Sequence, residues 1–150
     1  MATLTPTLTL ASTTVFADQP LNMTVSLNSA VQAPMTDINK MSTGDNLGLG
    51  AGIIISENDT NNYFVYLKHT GLLSTDGVSN CNATADFVLV GNPDADGGSK
   101  IIKLQPGEFA YFPTAEGAAD DTVTGGEVGG LKLFAGSANV MVEYAYWKRS

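Results

Sequence analysis

Apolar and polar residues alternate one for one over long parts of this chain. In residues 3–10, Leu4, Pro6, Leu8 and Leu10 fall on one parity and Thr3, Thr5, Thr7 and Thr9 on the other, the pattern of a strand with one buried face. Pro6 cannot donate a ladder hydrogen bond, so this strand is expected at a sheet edge or paired with a neighbouring subunit. Residues 21–27 repeat the alternation, with Leu21, Met23, Val25 and Leu27 expected inward and Asn22, Thr24 and Ser26 outward. Helical spacing fails in both.

Residues 33–48 lose the period at Pro34, Gly44 and Asn46 and read as a long connection or a short helical turn. Residues 49–56 and 63–68 flank the polar cluster Glu57-Asn58-Asp59-Thr60-Asn61-Asn62, which predicts a hairpin. Both faces of Tyr63-Phe64-Val65-Tyr66-Leu67 are apolar, as in a central strand covered by the core on one side and by a loop or partner on the other. Phe87-Val88-Leu89-Val90 predicts a buried strand that residues 101–104 answer across an Asp- and Gly-rich turn. Gln105-Pro106-Gly107 has Pro and Gly in type II order and predicts a second hairpin, to residues 108–112. Residues 114–130, rich in Gly and carrying Glu116, Asp120, Asp121 and Glu127, predict a mobile acidic loop. Residues 131–134 and 140–147 supply the last strands. In the final one Tyr144 and Tyr146 share a face, while Glu143 on the other face marks the Trp147 side as the exposed one.

About nine short strands with turn signals between them predict an all-β fold, an antiparallel β-sandwich or jelly roll. Residues 1–150 fit a single domain, with residues 1–12 as an assembly arm or edge strand. Composition agrees: 43% hydrophobic residues are too many for a disordered chain, and 15% charged residues are too few for a helical bundle. A formal net charge of −8 with no run of Lys or Arg argues against direct nucleic-acid binding. No stretch is long and apolar enough to span a membrane, and the N-terminus lacks the basic-then-apolar order of a signal peptide. The product is therefore expected to be made and kept soluble.

Chemistry-bearing residues are sparse. Gly48-Leu49-Gly50-Ala51-Gly52 runs into Ile53-Ile54-Ile55 and opens no helix, so it suits a close backbone approach better than a phosphate. Asp94-Ala95-Asp96-Gly97-Gly98 lacks the remaining ligands of a calcium loop and reads as a turn. His69 and Cys81 are the only His and Cys, too few for a zinc site, and no Gly-x-Ser-x-Gly nucleophile motif occurs. These counts predict no cofactor, no catalytic metal and no enzymatic activity.

The second half resembles small β-sandwich virion proteins of tailed bacteriophages. The likeness lies in the strand Phe87-Val88-Leu89-Val90-Gly91-Asn92, in Ile102-Lys103-Leu104-Gln105-Pro106-Gly107-Glu108-Phe109-Ala110-Tyr111-Phe112-Pro113, and in the closing Val142-Glu143-Tyr144-Ala145-Tyr146. It covers roughly the last 65 residues. It implies a non-enzymatic virion component, a capsid decoration or cement protein made in the host cytoplasm. Its partners would be itself, as a homo-oligomer such as a trimer, and a major capsid protein or other virion protein. The alternative is a glycan- or receptor-binding module of a tail or fibre, using exposed aromatics and loop carboxylates. Contacts are expected on the first and last strands, at Leu4, Pro6, Leu8, Leu10, Tyr146 and Trp147, because bare apolar edges need cover and aromatics anchor interfaces.

Overall fold

The computed structural model describes residues 2–12, 21–32, 38–45, 51–56, 59, 61–91, 100–114 and 130–150. Among them are twelve strands and no helix. The first four, β1 (Ala2–Leu4), β2 (Thr7–Ser12), β3 (Leu21–Ser26) and β4 (Ser29–Val31), form two-stranded pairs: β1 with β4 and β2 with β3. The next eight are β5 (Asn39–Ser42), β6 (Ile53–Ile55), β7 (Tyr63–Leu73), β8 (Val88–Gly91), β9 (Lys100–Leu104), β10 (Phe109–Pro113), β11 (Leu131–Ala135) and β12 (Val140–Lys148). They build two four-stranded antiparallel sheets, β10-β7-β12-β5 and β6-β11-β8-β9. From β5 onward each strand lies in the sheet opposite its predecessor, except that β9 pairs directly with β8. This is the wrapping order of an eight-stranded jelly roll.

Alternation places the core. Tyr63, Val65, Leu67 and His69 of β7, with Val140 and Val142 of β12, face Val88 and Val90 of β8 and Leu131 and Leu133 of β11, all buried. Because strand side chains alternate, the opposite parity of β7 and β12 falls on the outer face, where Phe64, Tyr66, Glu143, Ala145 and Trp147 lie. The two faces fall as the parities predict, and residues 63–67 are apolar on both; the Trp147 side, expected to be exposed, is instead largely covered, with Ala145 and Phe64 buried and Trp147 half-buried.

Strand pairing differs from expectation in two places. Residues 53–55 and 63–68 do not form a hairpin, since β6 pairs with β11 in one sheet while β7 lies in the other. Likewise β9 and β10 are consecutive but belong to different sheets. The Pro-Gly turn between them is present, with Gly107 at φ +88° and the Glu108 amide donating to the Gln105 carbonyl at 2.9 Å. It turns a corner between layers instead of closing a ladder. A short polar turn looks the same in sequence whether the chain returns beside itself or crosses the core.

Within residues 33–48, read as irregular, β5 is a strand. It has one inward apolar residue, Met41, and its outward Lys40 meets Glu143 at 3.6 Å, so no period was long enough to mark it. The expected Asp94–Gly98 turn, the residues 48–50 part of the glycine run and residues 115–129 of the acidic loop lie outside the described residues. Gly52, at the end of that run, does serve a close approach. It sits at φ +73°, and a Cβ there would be 2.4 Å from the Leu133 carbonyl oxygen.

Gly77 also has positive φ, +68°, but open space around it. Gly77→Ala should therefore cost only the left-handed backbone penalty, about 1–2 kcal/mol. Gly52→Ala should cost clearly more, because backbone must move as well. Urea denaturation of the two variants checks the order.

Candidate assembly interface

Strands β1 to β4 are one ribbon. Register runs unbroken from Ala2↔Val31 and Leu4↔Ser29 through Thr7↔Ser26 to Ser12↔Leu21. Between the two ladders the Leu27 amide donates to the Pro6 carbonyl at 3.2 Å. The reciprocal bond is missing because proline has no N–H, and that alone divides the ladder. Thr5 bridges the gap by donating to Asn28 Oδ1 at 3.0 Å.

The root of the ribbon is fixed to the body. Val31 bridges Arg149, and the Gln32 amide donates to the Lys148 carbonyl at 2.9 Å. Val31 and Ser29 are buried, and Leu4 and Pro6 are half-buried on the same face. Beneath lies an aromatic shelf: Phe64 stacks on Tyr111 with centroids 5.9 Å apart and planes 7° apart, and the Arg149 guanidinium covers Phe64 at 5.0 Å. Burial pushes the Tyr111 hydroxyl upward in pKa, and the neighbouring Ser29 side chain pulls it the other way. Neither Ser29 Oγ nor Tyr111 OH makes a well-formed hydrogen bond, so the root is held by its backbone bonds to the body and by packing.

The tip has no such support. Beyond each other, β2 and β3 make no extensive contact with any described strand. Their polar face is tied by shared hydroxyl bonds, Thr7 to Ser26 at 3.0 Å and Thr9 to Thr24 at 3.5 Å. Their apolar face is bare: Leu10 is 39% exposed, Met23 42%, Leu8 45%, Val25 52% and Leu27 54%. Met23, Val25 and Leu27 were expected inward. The alternation correctly gave them one face, but no described strand forms a second layer over it.

Magnitude decides what that face can do. Burying a large aliphatic side chain completely is worth ~1.5–3 kcal/mol, so covering these half-exposed five would recover roughly 4–7 kcal/mol. Association itself costs about 4–15 kcal/mol. The apolar face alone therefore gains at best about 3 kcal/mol net, weaker than millimolar binding requires, and a stable complex needs the ribbon's open backbone edges as well. Described residues 2–12 and 21–32 carry no charged side chain, so nothing on the ribbon opposes desolvation or approach of another copy with net charge −8.

The six anchors expected from sequence fall in different environments. Leu8 and Leu10 are at the exposed tip, and Leu4 and Pro6 at the half-buried root. Trp147 is on the outer sheet face, half-buried, opposite Phe64 in register. Tyr146 instead points into the sandwich, edge-on to Tyr63 at 5.3 Å and 85°. Parity alone put Tyr144 and Tyr146 on the inward side.

Other polar groups are engaged in structure. Gly71 N–H donates to His69 Nδ1 at 3.1 Å, so Nε2 carries the proton and donates to the Asp86 carbonyl at 2.8 Å. Cys81 is half-buried, and burial with the Asp86 charge pushes its thiol up, which keeps it protonated. Asp59 accepts from Tyr63 OH at 2.7 Å and from the Asn61 amide and side chain. Burial opposes ionisation of Asp59, but these bonds and Lys148 outweigh it and lower its pKa. Burial and the Asp59 bond push Tyr63 up to about 12. Among the described residues no three His, Cys, Asp or Glu side chains gather as a metal site. Comparison with family models, with curated proteins and with solved structures finds no match.

Two expectations follow. Val31→Ala should cost about 2–3 kcal/mol by deleting buried methyls at the root, while Leu8→Ser or Val25→Ser should stay within about 0.5 kcal/mol for the isolated chain. Thermal and urea unfolding of each variant test the contrast. Because the folded-state pKa of Tyr63 is raised above its ordinary 10.0, its protonated form contributes stability that is complete below pH 10 and lost as pH rises through about 12. Urea midpoints measured from pH 9 to 12 should fall less steeply in Tyr63→Phe than in the parent.

Proposed function

We propose that this chain is a non-enzymatic structural protein that assembles with copies of itself and onto a larger protein shell, as a capsid decoration or cement protein of a bacteriophage head. The carrying observation is the ribbon, an uncharged amphipathic hairpin whose apolar face is covered at its root and bare at its tip. An exposed edge of this kind is an aggregation hazard unless a partner covers it. The jelly roll is compatible with the reading, since viral capsid domains use it, but lectins and cupins use it too and the fold does not select among them. The phage assignment rests on the resemblance of residues 87–113 and 142–146. It places the protein in the virion, with a major capsid protein as the second partner.

The glycan-binding alternative has less support. Among the described residues, Asp59 beside the Tyr63–Tyr146 pair already accepts bonds from Tyr63 and Asn61, and Tyr146 is turned into the core. A sugar would have to displace bonds that stabilise the loop.

Replacing residues 7–26 by Asn-Gly joins Pro6 to Leu27 across a two-residue turn that keeps their hydrogen bond. This variant should retain the melting temperature of the body and lose both self-association and co-sedimentation with capsids. Undiminished assembly by both measures would refute the reading.

A further inference from the structure

We infer that the ribbon of one copy adds as strands to the open edge of β10 in a second copy, joining copies head to tail; this rests on the ribbon being a docking element. Natural sheets protect bare edges with Lys, with very short strands or with Pro. Among the described strands of the body, β5, β6, β9 and β10 have a neighbour on one side only. Three of these carry a guard. β5 holds Lys40, β9 holds Lys100 and Lys103, and β6 is only three residues long.

β10 is different. Phe109-Ala110-Tyr111-Phe112-Pro113 has five residues, no charge, and a proline only at its far end. Phe109 is 60% exposed on the outer face of the sheet, opposite Lys68 in the register with β7. An added strand would place a side chain directly beside that ring, and an aliphatic residue is a favourable cross-strand neighbour for an aromatic one. The ribbon offers such residues at every second position, Leu8 and Leu10 on one strand and Met23 and Val25 on the other. Its backbone edges are likewise without charged guards. Among the described residues the chain thus carries two edges without charged guards, each with a proline at one point only, and the anchored root ties one of them to the end of β12, where Val31 bridges Arg149. A contact between unlike surfaces is heterologous, so each copy both gives a ribbon and receives one.

The test uses full-length chains and sedimentation velocity. Leu10→Lys damages the donor, and Phe109→Lys damages the acceptor. Both positions are exposed, so each variant should keep the parent's melting temperature; Phe109→Ser replaces Phe109→Lys if the latter misfolds. Each variant alone should self-associate at least about tenfold more weakly. An equimolar mixture should recover a dimer and nothing larger, because only one intact donor and one intact acceptor can meet. If the Phe109 variants associate like the parent while Leu10→Lys does not, the acceptor is elsewhere and the inference fails, though the ribbon remains a docking element. A parent chain that stays monomeric at high concentration also overturns it, and capsid co-sedimentation then tests the ribbon alone. If Leu10→Lys impairs neither self-association nor capsid binding, the docking reading itself falls.

Discussion

The structure depends on the apolar contact between two strand pairs, β7 with β12 in one sheet and β8 with β11 in the other. Val65, Leu67, Val140 and Val142 on one side and Val88, Val90, Leu131 and Leu133 on the other are the most deeply buried aliphatic residues of the sandwich. His69 is accommodated beside them because both its ring nitrogens are bonded. This layer fixes β12 along its length, and β12 in turn presents the backbone at Lys148 and Arg149 to which the ribbon root is tied. The position of the ribbon thus follows from the core packing that places the end of β12.

Strand positions were legible in the sequence, and strand partners were not. Period-two alternation located the inward side of β12, where Glu143 marks the outer parity, but not of β7 or β8, whose residues 63–67 and 87–90 are apolar on both parities. It could not say which sheet a strand joins, since a jelly roll places consecutive strands in opposite layers with turns as short as Gln105-Pro106-Gly107. The same limit explains β2 and β3. Leu8, Leu10, Met23 and Val25 alternate as core strands do, and the sequence carries no mark for whether a second layer covers them. The informative signal was a different one: more than twenty ribbon residues without a charge, whereas solvated strands of a free-standing protein usually carry Lys or Glu on the open side.

Pro6 shows how one residue shapes the ribbon without ending it. As an edge marker its role was predictable from the missing donor. The structure adds that it sits where root gives way to tip, with the partner strand's register intact on either side. The missing proline N–H removes one ladder bond to the Leu27 carbonyl, while the Leu27 amide to the Pro6 carbonyl and Thr5 to Asn28 still span the point.

The threonines then account for why a bare ribbon is useful. A two-stranded hairpin is marginal in water, and ordering each residue costs ~1–2 kcal/mol of backbone entropy. If that cost fell entirely at docking, it would exceed the roughly 4–7 kcal/mol that the apolar face can return. β-Branched Thr7, Thr9 and Thr24 favour the extended backbone, and their cross-strand hydroxyl bonds hold the two strands together before any partner arrives. In the proposed docking, preorganisation on the polar face would preserve the binding energy of the apolar face. The alternation of Thr with Leu has one consequence on each side of the ribbon: one face is tied across the strands, and the other is apolar and exposed, the surface that the proposed docking would use.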